Sequence, residues 1–112
     1  MKSEVEAKNA KLLVVTLSNG IQVYPDSTAR SEFMRLVGSE DLLYPDKRIK
    51  NFGDAHGITV LNLAPDLQRY AEQNQVFLHG FGQDIGNGHW NETGHRVAGE
   101  MLGEKICGEI NN

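Results

Sequence analysis

Lys11-Leu-Leu-Val-Val-Thr-Leu-Ser18 is a nearly unbroken apolar and β-branched run that stops at a serine followed by Asn19-Gly20. Apolar side chains on both faces mark a strand buried on both sides, as in a parallel sheet covered by helices. Gly57-Ile-Thr-Val-Leu-Asn-Leu63 repeats the pattern. Both segments read as interior strands, and the residues between them must supply the crossover.

Two helices are predicted in that crossover. One follows the cap cluster Asp26-Ser27-Thr28 and carries Phe33, Leu36 and Val37. The other starts at Pro45, carries Ile49 and Phe52, and ends near Gly57. Pro65 opens a third helix, with Asp66 in its first turn and Leu67, Tyr70 and Ala71 on one face. Val76-Phe-Leu78 reads as either a short third strand or an extended lead-in. Asn91 is a cap for the last helix, where Val97, Ala98, Met101, Leu102 and Ile106 recur at helical spacing. The alternation predicts an α/β fold: a small parallel sheet covered by helices, in a single domain over residues 1–112. So few strands leave an apolar edge open, which predicts a homodimer or higher homo-oligomer.

Composition narrows the function. The net charge of −4 arises from 15 acidic and 11 basic side chains, and the densest basic cluster is only Lys47, Arg48 and Lys50. No stripe suits a phosphate backbone, so nucleic acid is not an expected partner. The longest apolar run, Leu12–Leu17, is far short of a membrane span. Met1-Lys-Ser-Glu-Val-Glu lacks the hydrophobic core of a secretory signal, so a cytoplasmic location is the expectation for the chain as it stands. The single cysteine, Cys107, has no partner for an internal disulfide and is expected on the buried face of the last helix.

Chemistry concentrates in residues 79–96, which hold three histidines, the only tryptophan and five glycines. Glycine lets backbone approach a ligand closely, and imidazole exchanges protons near neutral pH. Ser18 stands at the carboxyl end of the first strand, where ligands of open α/β sheets collect. Topology thus makes it the one serine placed as a candidate nucleophile, with a plain strand-end turn as the alternative. His79 reads as a turn or lining residue, His95 as a structural ring bonded to a loop carbonyl, and Trp90 as packing beneath the loop. His79, Asp84, His89 and His95 are also potential metal ligands, but their spacings match no recognised metal motif. No cofactor is expected; the glycines match neither a dinucleotide fingerprint nor a P-loop.

Leu78-His-Gly-Phe, followed by Gly88-His-Trp-Asn-Glu-Thr-Gly-His-Arg-Val-Ala-Gly, resembles the C-terminal block of SGNH (GDSL-type) hydrolases. The resemblance extends back through Gln22-Val-Tyr-Pro, Asp41-Leu-Leu-Tyr-Pro and Gly57-Ile-Thr-Val-Leu-Asn-Leu-Ala-Pro, and maps onto the C-terminal half of such a domain. It implies a truncated flavodoxin-like sheet and a serine esterase in which His89 is the general base. The family's Gly-Asp-Ser block is not in this chain; the nearest string is Gly53-Asp-Ala55. The position of its aspartate is taken by Gly86, leaving Asp84 or the neutral Asn87 to orient His89. The expectation is a carboxylic-ester hydrolase for short acyl esters. Its catalytic set is His89, Asp84 and Ser18, or a serine from another subunit, with Asn87, Trp90 and Asn19 around the substrate. The alternative is a non-catalytic module that self-associates or complements an N-terminal partner.

Overall fold

The computed structural model describes residues 1–110. A short helix α1 (Lys2–Ala7) precedes strand β1 (Leu13–Thr16). Helices α2 (Ser27–Val37) and α3 (Tyr44–Ala55) lead to strand β2 (Thr59–Asn62). Helix α4 (Ala64–Asn74), a 3-10 turn at Gly82–Asp84 and helix α5 (Glu92–Ile110) complete the described chain. The two strands form a parallel pair with Leu13 opposite Thr59 and Thr16 opposite Asn62. Over the described residues the protein is therefore mixed α/β, with five helices and an open two-stranded sheet. Among the described residues, no helix is long and apolar enough to cross a membrane.

Local signals account for the element ends. The Asp26 carboxylate accepts the Thr28 backbone N–H at 2.9 Å and caps α2, and Gly38 ends that helix at φ 72°. Proline falls in the first turn of α3 and of α4, where its missing N–H costs nothing. The Asn91 side chain accepts the Gly94 N–H at 3.0 Å at the start of α5. Gly53 lets α3 lie close on β2, since a Cβ there would stand 2.5 Å from Val60 Cγ2 and 2.7 Å from the Ile58 carbonyl oxygen.

The core lies between α4 and α5. Leu63, Leu67 and Ala71 meet Val97 and Ala98, with Val23 and Leu78 closing the cluster from the loops. Leu67 is fully buried. At about 25 cal/mol per Å² of apolar surface, each such side chain contributes about 2 kcal/mol before entropy is counted.

Several expectations are corrected. With only two strands, neither is interior: every residue of β1 is half-buried, and each strand has an edge without a strand partner among the described residues. Of the two readings of Val76–Leu78, the extended lead-in is the one found; its continuation makes a single antiparallel bridge, His79 to Trp90. Phe33, Leu36 and Val37 on α2 and Ile49 and Phe52 on α3 are exposed, because so narrow a sheet cannot cover both helices. Cys107 is exposed as well, lying off the face of α5 that carries Val97 and Ala98.

Candidate active site at the strand rim

β1 ends at Thr16, so Leu17 and Ser18 emerge at the carboxyl rim of the sheet. The following turn is braced from below. The Asn19 backbone N–H donates to Gln22 Oε1 at 2.9 Å, and the Gln22 N–H donates to Asn19 Oδ1 at 3.1 Å. Gln22 Nε2 in turn donates to the Leu42 carbonyl and to Asp46 Oδ2, at 2.9 and 2.8 Å. Asn62 Nδ2 donates to the Asp46 carbonyl at 3.0 Å, and the Thr16 hydroxyl bonds Asn62 Oδ1. This network ties the Ser18 turn to α3 and to both strand ends. Burial pushes the Asp46 carboxyl above its ordinary value, against the lowering effect of the Gln22 and Thr16 hydrogen bonds.

The other half of the site comes from the segment after α4. Leu78, 1% exposed, anchors the chain in the core and delivers His79, itself only 3% exposed. The loop from Gly80 to Gly88 then doubles back. Gly80 N–H donates to the His89 carbonyl at 2.9 Å, Asn91 N–H to the Leu78 carbonyl at 3.0 Å, and Gly86 N–H to the His79 carbonyl at 2.7 Å. Asn91 Nδ2 adds bonds to the carbonyls of Phe77 and Gly80. Gly80 is obligatory here: its φ is +87°, and a Cβ would sit 2.1 Å from the Asp84 carbonyl oxygen.

These two halves meet at a hydroxyl. Ser18 Oγ lies 2.9 Å from His79 Nε2, and His79 Nδ1 lies 2.6 Å from the Gly88 carbonyl oxygen. A carbonyl only accepts, so Nδ1 carries the ring proton and donates it. Nε2 of the neutral ring is then the acceptor, and the Ser18 hydroxyl donates to it. Trp90 Nε1–H donates to the same Ser18 oxygen at 2.9 Å. Burial pushes the His79 imidazole below its ordinary value, the Gly88 carbonyl opposes that shift, and the nearby His89 adds to it. His79 is therefore neutral at pH 7, the state a general base needs.

Ser18 opens into a cleft of about 360 Å³ whose walls include Leu17, His79, His89, Trp90 and His95. His89 also borders a neighbouring cleft of about 300 Å³ with Phe81, Asp84 and Asn87. A hydroxyl donating to a neutral imidazole, whose far nitrogen is fixed by a third group, is the arrangement that activates a nucleophile.

The site residues expected from sequence are thus divided. Ser18 and Trp90 are joined by a hydrogen bond; His89 is an exposed wall, and its ring bonds no hydroxyl among the described residues. Asp84 is exposed in the 3-10 turn and makes no bond to an imidazole, and Asn87 is exposed beside it. Asn19 commits its backbone N–H and side-chain oxygen to Gln22. His95 is exposed and meets Trp90 edge-on at 5.6 Å rather than bonding a loop carbonyl. The histidine that meets Ser18 is His79, expected from the sequence as a turn or lining residue. One signal pointed to it: it directly follows the apolar Val76-Phe-Leu78, which drives it into the core rim. Among the described residues, no three His, Cys, Asp or Glu side chains are grouped to hold a metal ion. Comparisons of the chain with family models, curated proteins and solved structures find no match.

Proposed function

We propose that this protein is a carboxylic-ester hydrolase acting on short acyl esters through Ser18 as nucleophile and His79 as general base. The observation that carries the reading is the relay of Ser18 Oγ, His79 Nε2 and the Gly88 carbonyl, at 2.9 and 2.6 Å. In the acylation step the Ser18 proton passes to His79 Nε2 while Oγ bonds the acyl carbon; His79 then returns the proton to the leaving alcohol. Water, deprotonated by the same ring, releases the acid. The neutral Gly88 carbonyl holds the ring tautomer that a carboxylate holds in a Ser-His-Asp triad. A cleft of about 360 Å³ with Leu17 and Trp90 as its apolar walls suits an acyl group of a few carbons.

On this reading the chain is related to the C-terminal half of the flavodoxin-like SGNH-type esterases, with Ser18 as the serine that His79 activates. The parallel β1–β2 pair with its helical crossover and the Gly88-His-Trp-Asn string support that affiliation. The resemblance puts the base at His89; the hydrogen bond to Ser18 favours His79. The test is turnover of p-nitrophenyl acetate and butyrate. Ser18→Ala and His79→Ala, each with unchanged circular dichroism, are expected to lose at least about a hundredfold. Turnover unaffected by both substitutions would overturn the proposal.

A second reading, a module that self-associates or complements an N-terminal partner, is favoured by the molecule's openness. Its radius of gyration is 15.7 Å, against about 13 Å for a compact domain of this length. Its accessible surface is 7462 Å², against about 6100 Å² for a typical folded monomer of its mass. The unpaired sheet edges and the exposed Leu36 and Phe52 supply apolar surface for a second copy. Light scattering at micromolar concentration is expected to give a dimer or larger species; a stable monomer would overturn self-association.

A further inference from the structure

We infer that Trp90 is a catalytic residue, its indole N–H supplying to the nucleophile the electrostatic help that the neutral Gly88 carbonyl cannot supply to the base. The inference rests on Ser18 and His79 being the working pair. A serine oxygen has one proton and two lone pairs. At Ser18 the proton is directed to His79 Nε2 at 2.9 Å, and one lone pair receives the Trp90 N–H at 2.9 Å. One lone pair is left to attack, so the two bonds together fix both the rotamer and the direction of the nucleophile.

While the proton is in transit and the bond to the acyl carbon is still partial, Oγ carries part of the negative charge that ends on the acyl oxygen, and a hydrogen bond to a charged acceptor is stronger than one between neutral groups. The Trp90 N–H therefore stabilises the transition state more than the ground state, which is the condition for acceleration. A donor on the attacking oxygen also lowers its nucleophilicity. That loss is only a fraction of the gain, because nucleophilicity falls with pKa at a slope of roughly one half, by analogy with thiols. The indole is well held for the purpose. Its backbone lies opposite His79 in the antiparallel bridge, and its Cβ packs against Gly94 at the start of α5, 3.1 Å from where a Cβ on that glycine would be.

The chain has a single tryptophan, so the donor can be removed at one position without ambiguity. The experiment compares second-order rate constants for phosphonylation by a fluorophosphonate across pH. It uses the full chain, Trp90→Phe, and a chain carrying 3-benzothienylalanine at position 90, which keeps the indole's shape with sulfur in place of N–H. Both substituted chains are expected to react roughly ten- to a hundredfold more slowly, with the pH midpoint set by His79 unchanged. A benzothienyl chain as fast as the parent would overturn the role of the N–H while leaving the Ser18–His79 reading intact. So would slowing matched by a displaced pH midpoint, which marks a disturbed His79 rather than a lost donor. A parent chain that takes no adduct on Ser18 would overturn both.

Discussion

Ser18 and His79 are separated by 61 positions in the chain and by 2.9 Å in space, hydroxyl to imidazole. Nothing local brings them together. β1 delivers one to the rim of the sheet, and the buried Leu78 delivers the other. The contact is thus a product of the core between α4 and α5, and the proposed activity depends on that core.

The pH dependence follows from burial of His79. Its folded value lies below the ordinary 6.5, so the unfolded chain binds the proton more readily. Ester turnover is expected to be full at neutral pH and to fall only below pH 6.5, as the base is protonated. Stability has the same sign: the His79 contribution is present above the unfolded value and is lost as pH falls through the folded one. A pH–rate profile together with NMR titration of the ring checks both. A midpoint at or above 6.5 would contradict the burial argument.

Asp46 behaves oppositely. Its folded value is raised, so its contribution is fully present below the unfolded value near 3.8 and is lost as pH rises through the folded one. Asp46→Asn keeps an oxygen for Gln22 Nε2 and removes the buried charge. It is expected to be at least as stable as the parent at pH 7, with a flatter stability profile in acid. Asp46→Ala leaves Gln22 Nε2 short of one acceptor and is expected to cost about 1–3 kcal/mol. Urea unfolding at pH 4 and pH 7 separates the two.

The glycines of the site loop are expected to differ sharply. Gly80→Ala combines φ +87° with a Cβ 2.1 Å from the Asp84 carbonyl oxygen, and is expected to cost about 3 kcal/mol or more. Gly88→Ala carries only the strain of φ +83°, since nothing lies within 4 Å, and is expected to cost about 1–2 kcal/mol. Gly103→Ala, in open space on α5, is expected to stabilise by about 0.5–1 kcal/mol. Chemical denaturation of the three variants orders them.

Leu67 is the best-buried large side chain of α4. Leu67→Ala is expected to cost about 2–5 kcal/mol in unfolding free energy and, because α4 leads into His79, to loosen the site as well. Differential scanning calorimetry measures the first, and ester turnover below the melting transition the second.

What could be read from the sequence is what local chemistry decides. Asp26 at the start of α2, the prolines in the first turns of α3 and α4, and Asn91 at the start of α5 each act within a few residues of themselves. The two β-branched runs pair in parallel as expected, 13–16 against 59–62. The exposure of Phe33 and Phe52 is not legible in the sequence, because an apolar helix face says nothing about how wide a sheet stands ready to cover it. His79 and His89 each have one glycine neighbour, and the apolar Val76-Phe-Leu78 before His79 is the one local sign of which ring turns inward. The partners of Ser18 lie 61 and 72 residues away, a separation at which no periodicity or motif spacing carries information.

The most direct measurement is the site of covalent labelling. After reaction with a fluorophosphonate and proteolysis, mass mapping is expected to find one adduct per chain, on Ser18. That adduct should be lost in His79→Ala and retained in His56→Ala, whose ring lies at the far end of α3. An adduct on another serine, or labelling of Ser18 that does not depend on His79, would contradict the transfer of the Ser18 proton to that imidazole.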